Sequence, residues 1–509
     1  MAFLLVLLAL VSIYLSQTFY KYFTSPLKSI PGPFTAKFTD LWRLFDTLGG
    51  RAELTHIHLH AKYGPAVRLG PNLVSIVDPE VLRTIYDSRG VFSDFYKVAD
   101  VKVGRDIFPN IFSARNNEIH SQIRSSIAPF YKLSALLKFE PLIDETIKNF
   151  YRQLEKEFID TPHATKQKIV PIDEWISYLA WDMTSNITFS RSMGLLDSMS
   201  DHSGWLGNAE RVMDWLSVTG QLPFIDWLMA KNPIMPIGAS RSLDKVGEWA
   251  YMELMARQNT ADGKIKKTSD MLDDFLSLKE KYGPEMHDGK MVNILMINLT
   301  AGSDTTAIVL RSIIYFVLKH PHVYEMLQEE LDNCSDSSEE IISFAVARKI
   351  PYLEAVILEA RRIHPGVGLL LERVVPEPGL QLSNGTFLPA GTVVGMNAYA
   401  THRDKRIFGQ DADTFNPSRW CRHKKENEPE YQARLNKMKQ NDLSFGAGKR
   451  VCIGKELSDL ETYKFVASLF LKYDMELVDP NKEWKVQNSF FVRQSGIDIK
   501  IRPREKKPK

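Results

Sequence analysis

The sequence predicts a helical fold class, and three segments carry this prediction. Ala2 to Tyr20 is an uncharged run dominated by apolar residues. Met291 to Leu318 is a second long and largely apolar run, for which a helix is the natural interpretation. Tyr352 to His364 reads as a shorter helix that Pro365 ends, because proline opposes helix continuation.

The N-terminal run predicts a membrane-spanning helix. At 1.5 Å per residue, Ala2 to Tyr20 crosses most of a hydrocarbon core of about 30 Å. A cleaved secretory signal is the competing interpretation, but such signals begin with basic residues and have a shorter apolar run. Here Lys21, Lys28 and Lys37 follow the run and no basic residue precedes it, which favours a cytosolic position for the rest of the chain.

The central apolar run contains the sequence Ala301–Thr306, which predicts a local distortion of the helix. Gly302 is a poor residue for a helix interior, and a threonine hydroxyl can bond to a preceding carbonyl. We therefore expect a bulge, and bulges are frequent at functional sites. The alternative is a helix break capped by Ser303 or Asp304, which the uninterrupted apolar residues on both sides disfavour.

A loop of the form F-x-x-G-x-R-x-C-x-G surrounds Cys452 near the C-terminus. Such a loop suits a cysteine thiolate that binds haem iron, since Gly448 and Gly454 let the backbone approach a flat macrocycle. Arg450 can reach a haem carboxylate, and Phe445 can cover the sulfur. A buried structural cysteine is the simpler interpretation, but it explains neither the glycines nor the arginine.

Two further pairs have helical spacing. Glu359 and Arg362 lie one turn apart, and so do His120 and Arg124, so each pair shares a helix face. Taken alone, such pairs are usually solvated surface contacts of little energetic value.

Together these motifs resemble those of the cytochrome P-450 monooxygenases, in the order in which that family carries them, over essentially the whole chain. The resemblance implies a mainly α fold with a small β-rich part, preceded by one N-terminal transmembrane helix. Residues 1–25 are then the anchor, and residues 26–509 form one domain. Length alone suggests about three domains, but no glycine-serine linker or internal repeat divides the chain.

The resemblance also assigns roles to individual residues. Haem b is expected as the cofactor, with Cys452 as the axial iron ligand. Asp304 and Thr305 are expected to deliver protons to the bound oxygen. Further cofactor contacts are expected from His120, Arg124, Arg373, Phe445 and Arg450.

Glu359, Arg362 and Arg419 are expected to be structural, on the proximal side of the haem. Arg419 belongs to a proline-rich segment in which Asn416 replaces the family's usual acidic residue. His120 likewise stands where many members have tryptophan, although fungal members frequently have histidine.

The expected activity is the insertion of one oxygen atom from dioxygen into a hydrophobic small molecule. Electrons are expected from NADPH through a separate cytochrome P-450 reductase, because no nucleotide-binding glycine fingerprint follows a strand in this chain. The resemblance implies a single-pass protein of the endoplasmic reticulum membrane with a cytosolic catalytic domain. Pro365–Pro376 and Gly385–Asn397 are similar to fungal members near the pisatin demethylase group, which implies a role in secondary metabolism.

The substrate pocket is expected to have apolar and aromatic walls, as many protein cores also do. By position, five segments should line it: Ser93–Asn117, Trp205–Ile237, the central helix near Asn298 and Ala301, Pro365–Leu371, and Ser489–Val492.

Several alternatives remain open at this point. One is a haem-thiolate isomerase or dehydratase, against which the Asp304-Thr305 pair counts. Others are an oxidative phenol-coupling enzyme and a non-catalytic haem-binding protein. A net charge of +2 and the lack of basic stretches interleaved with aromatic residues give no case for nucleic-acid binding. Three scattered cysteines do not suggest a disulfide framework.

Overall fold

The protein is described by a computed structural model that covers residues 2–87, 90–103, 106–159, 168–232, 244–259, 269–334 and 339–505. Its helices are α1 (Ala2–Thr24), α2 (Leu41–Leu48), α3 (Ala52–Tyr63), α4 (Leu82–Tyr86), α5 (Asn117–Ile127), α6 (Leu133–Leu136), α7 (Glu140–Leu154), α8 (Ile172–Phe189), α9 (Leu195–Ser198), α10 (Trp205–Thr219), α11 (Pro223–Met229), α12 (Asp244–Asn259), α13 (Met271–Tyr282), α14 (Asp288–Lys319), α15 (Pro321–Asp332), α16 (Phe344–Ala347), α17 (Pro351–Ile363), α18 (Ala398–Thr401), α19 (Lys405–Phe408), α20 (Glu428–Gln440) and α21 (Lys455–Lys472).

The strands are short and form a minor part of the fold. They are β1 (Ala66–Gly70), β2 (Leu73–Ile76), β3 (Val91–Phe92), β4 (Val101–Val103), β5 (Asp106–Phe108), β6 (Val170–Pro171), β7 (Arg373–Val374), β8 (Leu380–Gln381), β9 (Phe387–Leu388), β10 (Val393–Gly395), β11 (Tyr473–Leu477), β12 (Lys485–Ser489), β13 (Phe491–Ser495) and β14 (Asp498–Pro503). The largest sheet has the order β1-β2-β10-β7-β3, and in it β2 and β10 are parallel. The mainly α fold with a small β-rich part is confirmed.

The largest hydrophobic core is helical and is built around α14, which packs along α8 and also contacts α12, α17 and α21. Gly302 permits the close α8–α14 contact, since a Cβ atom there would lie 3.1 Å from the Thr184 methyl group. The apolar run from Met291 to Leu318 is helical as predicted. The prediction that a bulge distorts this helix is wrong, because α14 is α-helical without interruption from Asp288 to Lys319.

One helix of the described part of the chain meets the length and hydropathy expected of a membrane span. This helix is α14, and 67% of its apolar window is buried inside the protein, as befits a core helix. The predicted N-terminal helix is present as α1, but its crossing of a bilayer stays a prediction. The end of α1 packs on the following segment, with the Tyr22 ring centroid 4.8 Å from that of Phe38.

The helix predicted before Pro365 is present as α17, and it carries a buried carboxylate that joins this helix to the segment that ends at Trp420. Glu359 accepts two hydrogen bonds from Arg362, both at 2.8 Å. It also accepts bonds from the Asn416 backbone at 2.8 Å, the Trp420 indole at 2.9 Å and Arg419 at 3.4 Å. The Glu359–Arg362 pair is therefore a buried structural centre and not a surface contact.

This network generates a stability prediction. Glu359→Gln leaves the buried Arg362 guanidinium without its anion, while Arg419 keeps Asp411 at 2.5 Å, and breaking a buried pair in this way costs about 3–5 kcal/mol. We expect a loss of this size in the free energy of unfolding, measured by denaturant titration.

Glu354→Gln is the matched control on the same helix, because Glu354 makes only a partly exposed ion pair with Lys439 at 3.3 Å. It should change stability by less than about 1 kcal/mol. Equal losses in the two variants would contradict the structural role of Glu359.

Candidate functional site

A cavity of about 720 Å³ lies between α5, α14, the start of α21 and the loop that carries Cys452. The sulfur-bearing side chain of Cys452 faces this cavity, and Thr305 lines it from α14. His120, Arg124, Arg373, Phe445 and Arg450 line the same cavity. The structure therefore brings together seven of the eight residues that the sequence singled out as catalytic or cofactor-binding.

The cysteine loop is closed by its own backbone. The Cys452 N–H donates to the Phe445 carbonyl at 2.9 Å, and Gly446 and Gly448 both have positive φ. A Cβ atom at Gly448 would lie 1.8 Å from the Tyr86 carbonyl oxygen, so this glycine packs against α4. Of the two glycines expected to let the loop approach a macrocycle, Gly454 lines the cavity, whereas Gly448 does not and its backbone meets α4 instead.

The environment of the Cys452 thiol contains opposing influences. Burial among protein atoms raises its pKa, while a hydrogen bond from the Gly454 backbone and the charge of Arg124 act in the other direction. Arg124 also donates to the Val451 carbonyl at 2.8 Å, which fixes the loop beside α5. A metal ion at the sulfur would add to the influence of Arg124 and favour the thiolate form.

One end of the cavity carries an excess of positive charge. None of the ion pairs found in the described ranges includes Arg124, Arg373 or Arg450, although all three side chains are buried or half-buried. Arg373 and Arg450 lie over the Phe92 ring, at 4.1 Å and 4.2 Å from its centroid. Such a cluster suits an anionic ligand, since buried charges without partners are costly.

The same charges control the protonation of their neighbours. Burial lowers the pKa of Arg450 to about 10, and the nearby Arg373 acts in the same direction. Burial together with Arg450, Arg124 and Arg373 lowers the pKa of His120 to about 4, so its imidazole is neutral at pH 7. The hydrogen-bond partners that the structure gives Arg450 are the Ala114 carbonyl at 2.6 Å and Asn117 at 2.8 Å.

Phe445 contacts a cation of α17. The Arg361 guanidinium lies 4.9 Å from the Phe445 ring centroid and pairs with Asp459 of α21 at 2.5 Å. The ring is therefore held beside Cys452 by α17 and α21.

Thr305 and Asp304 face different spaces. Thr305 lines the cavity with Cys452, and its hydroxyl donates to the Ala301 carbonyl at 2.7 Å. Asp304 lines a second cavity of about 620 Å³ and accepts from the Trp181 indole at 2.9 Å. Burial raises the pKa of Asp304 to about 6. Consecutive helical residues point about 100° apart, and here this step directs Thr305 to the first cavity and Asp304 to the second.

A buried carboxyl group in the first cavity was missed by the sequence reasoning. Glu461 lies on α21, lines the cavity and accepts a hydrogen bond from Thr306 at 3.0 Å. Burial raises the pKa of Glu461 to about 8. An acidic residue within the apolar part of a helix was the available signal in the sequence.

All five segments expected to line a pocket contribute to the walls of the two cavities. Residues 104–105 and 233–237 of those segments lie outside the described residues. The walls also include parts of α5 and the region from Tyr282 to Lys290, which sequence position did not suggest.

Comparison with known proteins identifies the family to which the chain belongs. A model of the cytochrome P-450 family matches residues 33–501. The chain belongs to the cytochrome P-450 family. This confirms the family resemblance inferred from the sequence motifs, and haem iron held by a cysteine thiolate is the cofactor arrangement of the family.

Relatives of similar length are fungal cytochrome P-450 monooxygenases. One, cfoH of Aspergillus candidus, is 39% identical over 486 residues, which cover 95% of this chain and 90% of that protein. Another, cicH of Emericella nidulans, is 34% identical over 487 residues and 94% of each chain. The relative mpaDE of Penicillium roqueforti is 36% identical over 492 residues, but these cover only 56% of that longer protein. The P-450 chain is thus a haem-dependent monooxygenase, an oxidoreductase.

The buried Glu461 generates a pH prediction. Its folded pKa lies above the ordinary value of 4.5, so the unfolded chain loses this proton first as pH rises. Stability is therefore unaffected by this group below pH 4.5 and falls progressively up to about pH 8. Glu461→Gln mimics the protonated form, and we expect it to exceed the parent in stability by about 3 kcal/mol at pH 7.

Denaturant unfolding of both proteins at about pH 5, 7 and 9, which lie near the start of the titration, within it and above it, measures this difference. Glu456→Gln, at a partly exposed position of α21, is the control and should show no such growth with pH. A stability difference for Glu461→Gln that stays constant with pH would rule out titration of Glu461.

Proposed function

We propose that Cys452 is the axial ligand of the haem iron and that Arg124, Arg373 and Arg450 hold the haem propionates. The observation that carries this assignment is the position of a cysteine and three guanidinium groups without carboxylate partners around one cavity. These residues fit the cofactor, because a cysteine thiolate can ligate the iron and the guanidinium groups can hydrogen-bond to the propionate carboxylates. Neutral His120 can donate a further hydrogen bond.

When bound, the haem supplies the activation of dioxygen that this class of oxidation requires. The role of Thr305 is to donate its hydroxyl proton to a group inside the cavity. To do so, the hydroxyl gives up the hydrogen bond that it donates to the Ala301 carbonyl. Asp304 is positioned to receive protons from the second cavity, with a pKa of about 6 that permits exchange near neutral pH. Ala301 borders both cavities and marks where they meet.

The proposed substrate is a hydrophobic small molecule of a fungal secondary-metabolite pathway. Apolar and aromatic side chains dominate the walls of both cavities, as is usual for sites that bind such molecules. The fungal relatives of similar length support the choice of organism group.

The proposed electron donor is an NADPH-dependent cytochrome P-450 reductase. Lys449 in the cysteine loop and Lys455 at the start of α21 are exposed on either side of Cys452 in the sequence, and Lys349 is exposed before α17. Exposed cations of this kind steer an acidic partner toward the surface nearest the iron ligand.

The proposed location is the endoplasmic reticulum membrane, with residues 1–25 as a single-pass anchor and residues 26–509 as the cytosolic domain. Phe224, Trp227 and Leu228 are more than half exposed on α11. Phe45 is equally exposed on α2, and both α2 and α11 contact α10. We propose that these apolar side chains of α2 and α11, here called the α2–α11 surface, rest on the bilayer together.

The iron ligand can be tested by substitution. The reduced carbon monoxide complex of the parent protein should show the band from which the family takes its name. Cys452→Ser should abolish it, while Cys334→Ser and Cys421→Ser should retain it. Retention of the band in Cys452→Ser would move the assignment to another cysteine.

The role of Thr305 can be tested by product analysis. Thr305→Ala should bind substrate normally but divert electrons to hydrogen peroxide, with product formation reduced about 10²-fold, the scale of a positioned proton-transfer group. Ser303→Ala removes a comparable hydroxyl whose bond goes to the Leu299 carbonyl outside the cavities, and it should remain coupled. Unchanged coupling in Thr305→Ala would refute this role.

The membrane proposal can be tested by removing residues 1–24. Ser25 is kept because its hydroxyl accepts from Arg68 at 3.2 Å within the domain. The haem spectrum should persist, and membrane association should weaken without vanishing because the α2–α11 surface remains. Loss of haem from the truncated protein would show that α1 belongs to the catalytic fold, and unchanged sedimentation with membranes would show that it is no anchor.

A further inference from the structure

The two cavities meet at a neck formed by five residues that border both of them. These are Phe112, Ile297, Ala301, Phe490 and Phe491. Three of the five are phenylalanines, so anything that extends from one cavity into the other passes between aromatic rings.

The space near Thr305 is limited by the cofactor that the proposed function places there. A macrocycle held by Cys452 and the arginines would take up much of the first cavity. Room beside Thr305 would then remain toward Ala301, which borders the neck. A substrate larger than this room must therefore extend into the second cavity.

Phe490 forms the rigid side of the neck. It is fully buried at the one-residue turn between β12 and β13, with φ of +73°, a conformation that side-chain-bearing residues rarely adopt. Its ring packs on Phe95 at 5.8 Å and on Phe112 at 5.5 Å, centroid to centroid. Asn488, two residues before Phe490, donates to Glu53 at 2.8 Å and to the Gly368 carbonyl at 3.0 Å, which fixes the strand that enters the turn.

The charged groups at the far side of the second cavity are mostly occupied by one another. The Lys231 ammonium donates to the carbonyls of Lys97 and Val98 and to Asp226. Asp226 also accepts from the Trp215 indole at 2.8 Å. With its three protons used, Lys231 has none left for a ligand. The other walls are mainly apolar, with Asp100, Lys102, Glu248 and Asp304 among them.

We propose that this enzyme acts on elongated, flat, largely apolar molecules that occupy both cavities at once, and that the Phe490 ring selects flat molecules at the neck. This inference rests on the proposed function, since the reacting end lies beside the haem. The remote end lies against Val212, Met213 and Leu216 of α10 in the second cavity.

Imidazole probes that ligate haem iron test the proposal without a known substrate. N-phenylimidazole is short enough for the first cavity, whereas N-terphenylylimidazole carries a long flat tail. Affinities are measured by titration of the haem visible spectrum. We expect the long probe to bind at least about tenfold more tightly than the short one, because additional apolar surface is buried.

Val212→Trp fills the second cavity from α10, and Val292→Phe fills it from α14. Each should weaken the long probe by about tenfold or more and leave the short probe unchanged. Val218→Trp is the matched control, since Val218 is half-buried on α10 but borders neither cavity. Equal effects on both probes, or no effect of either filling variant on the long probe, would overturn the proposal.

Phe490→Ala tests the selection for flatness. An imidazole whose tail ends in an adamantyl cage should bind the parent weakly and the Phe490→Ala variant at least about tenfold better, while Phe490→Tyr should resemble the parent. Equal exclusion of the cage by all three proteins would refute selection by this ring. Failure of the short probe to shift the spectrum in any protein would instead contradict the haem site itself.

Discussion

The structure depends on a group of positive charges that the protein leaves without anions of its own. Arg124, Arg373 and Arg450 surround one end of the larger cavity, and no carboxylate of the described chain pairs with them. Burial, and after it the charges of the neighbouring arginines, lower the pKa of Arg450 and of His120. Such an arrangement is costly in the empty protein, and an anionic cofactor relieves that cost.

These cations also connect the parts of the site to one another. Arg124 fixes α5 to the cysteine loop through the Val451 carbonyl, and Arg450 returns the loop to the start of α5 through Ala114 and Asn117. Arg373 joins the largest sheet to the cavity, because it belongs to β7 and lies over Phe92 of β3. Cofactor binding and the docking of these elements are therefore coupled.

Glu359 is a second centre that holds separate segments of the fold together. Its carboxylate gathers contacts from α17 and from the segment that ends at Trp420, and Arg362 extends them to the carbonyls of His402, Ala412 and Thr414. This network lets the cysteine loop keep its shape while α14 carries the groups that act on substrate.

Much of the fold and of the cofactor site could be predicted from local sequence. Apolar length predicts α14, Pro365 predicts the end of α17, and the glycine-arginine-cysteine pattern predicts the loop at Cys452. These features depend on residues that are close together in the chain, and for that reason the sequence predicts them.

The features that sequence did not reveal depend on contacts between distant segments. Gly448 meets Tyr86, which lies more than three hundred residues earlier, and no local pattern encodes that approach. Asp304 and Thr305 are adjacent in sequence but open to separate cavities, because the helix turns between them. Glu461 becomes part of the site only when α21 packs against α14.

The comparison of haem with its dimethyl ester tests the role of the unpaired cations most directly. The ester has the same macrocycle and iron but no propionate charge. The difference between the affinities of haem and its ester for the apoprotein therefore measures how much the propionate charges contribute to binding. Charge-assisted hydrogen bonds are worth about tenfold in affinity each, and we therefore expect the ester to bind at least about tenfold more weakly than haem. Equal affinities for haem and its ester would contradict the assignment of Arg124, Arg373 and Arg450 to the cofactor.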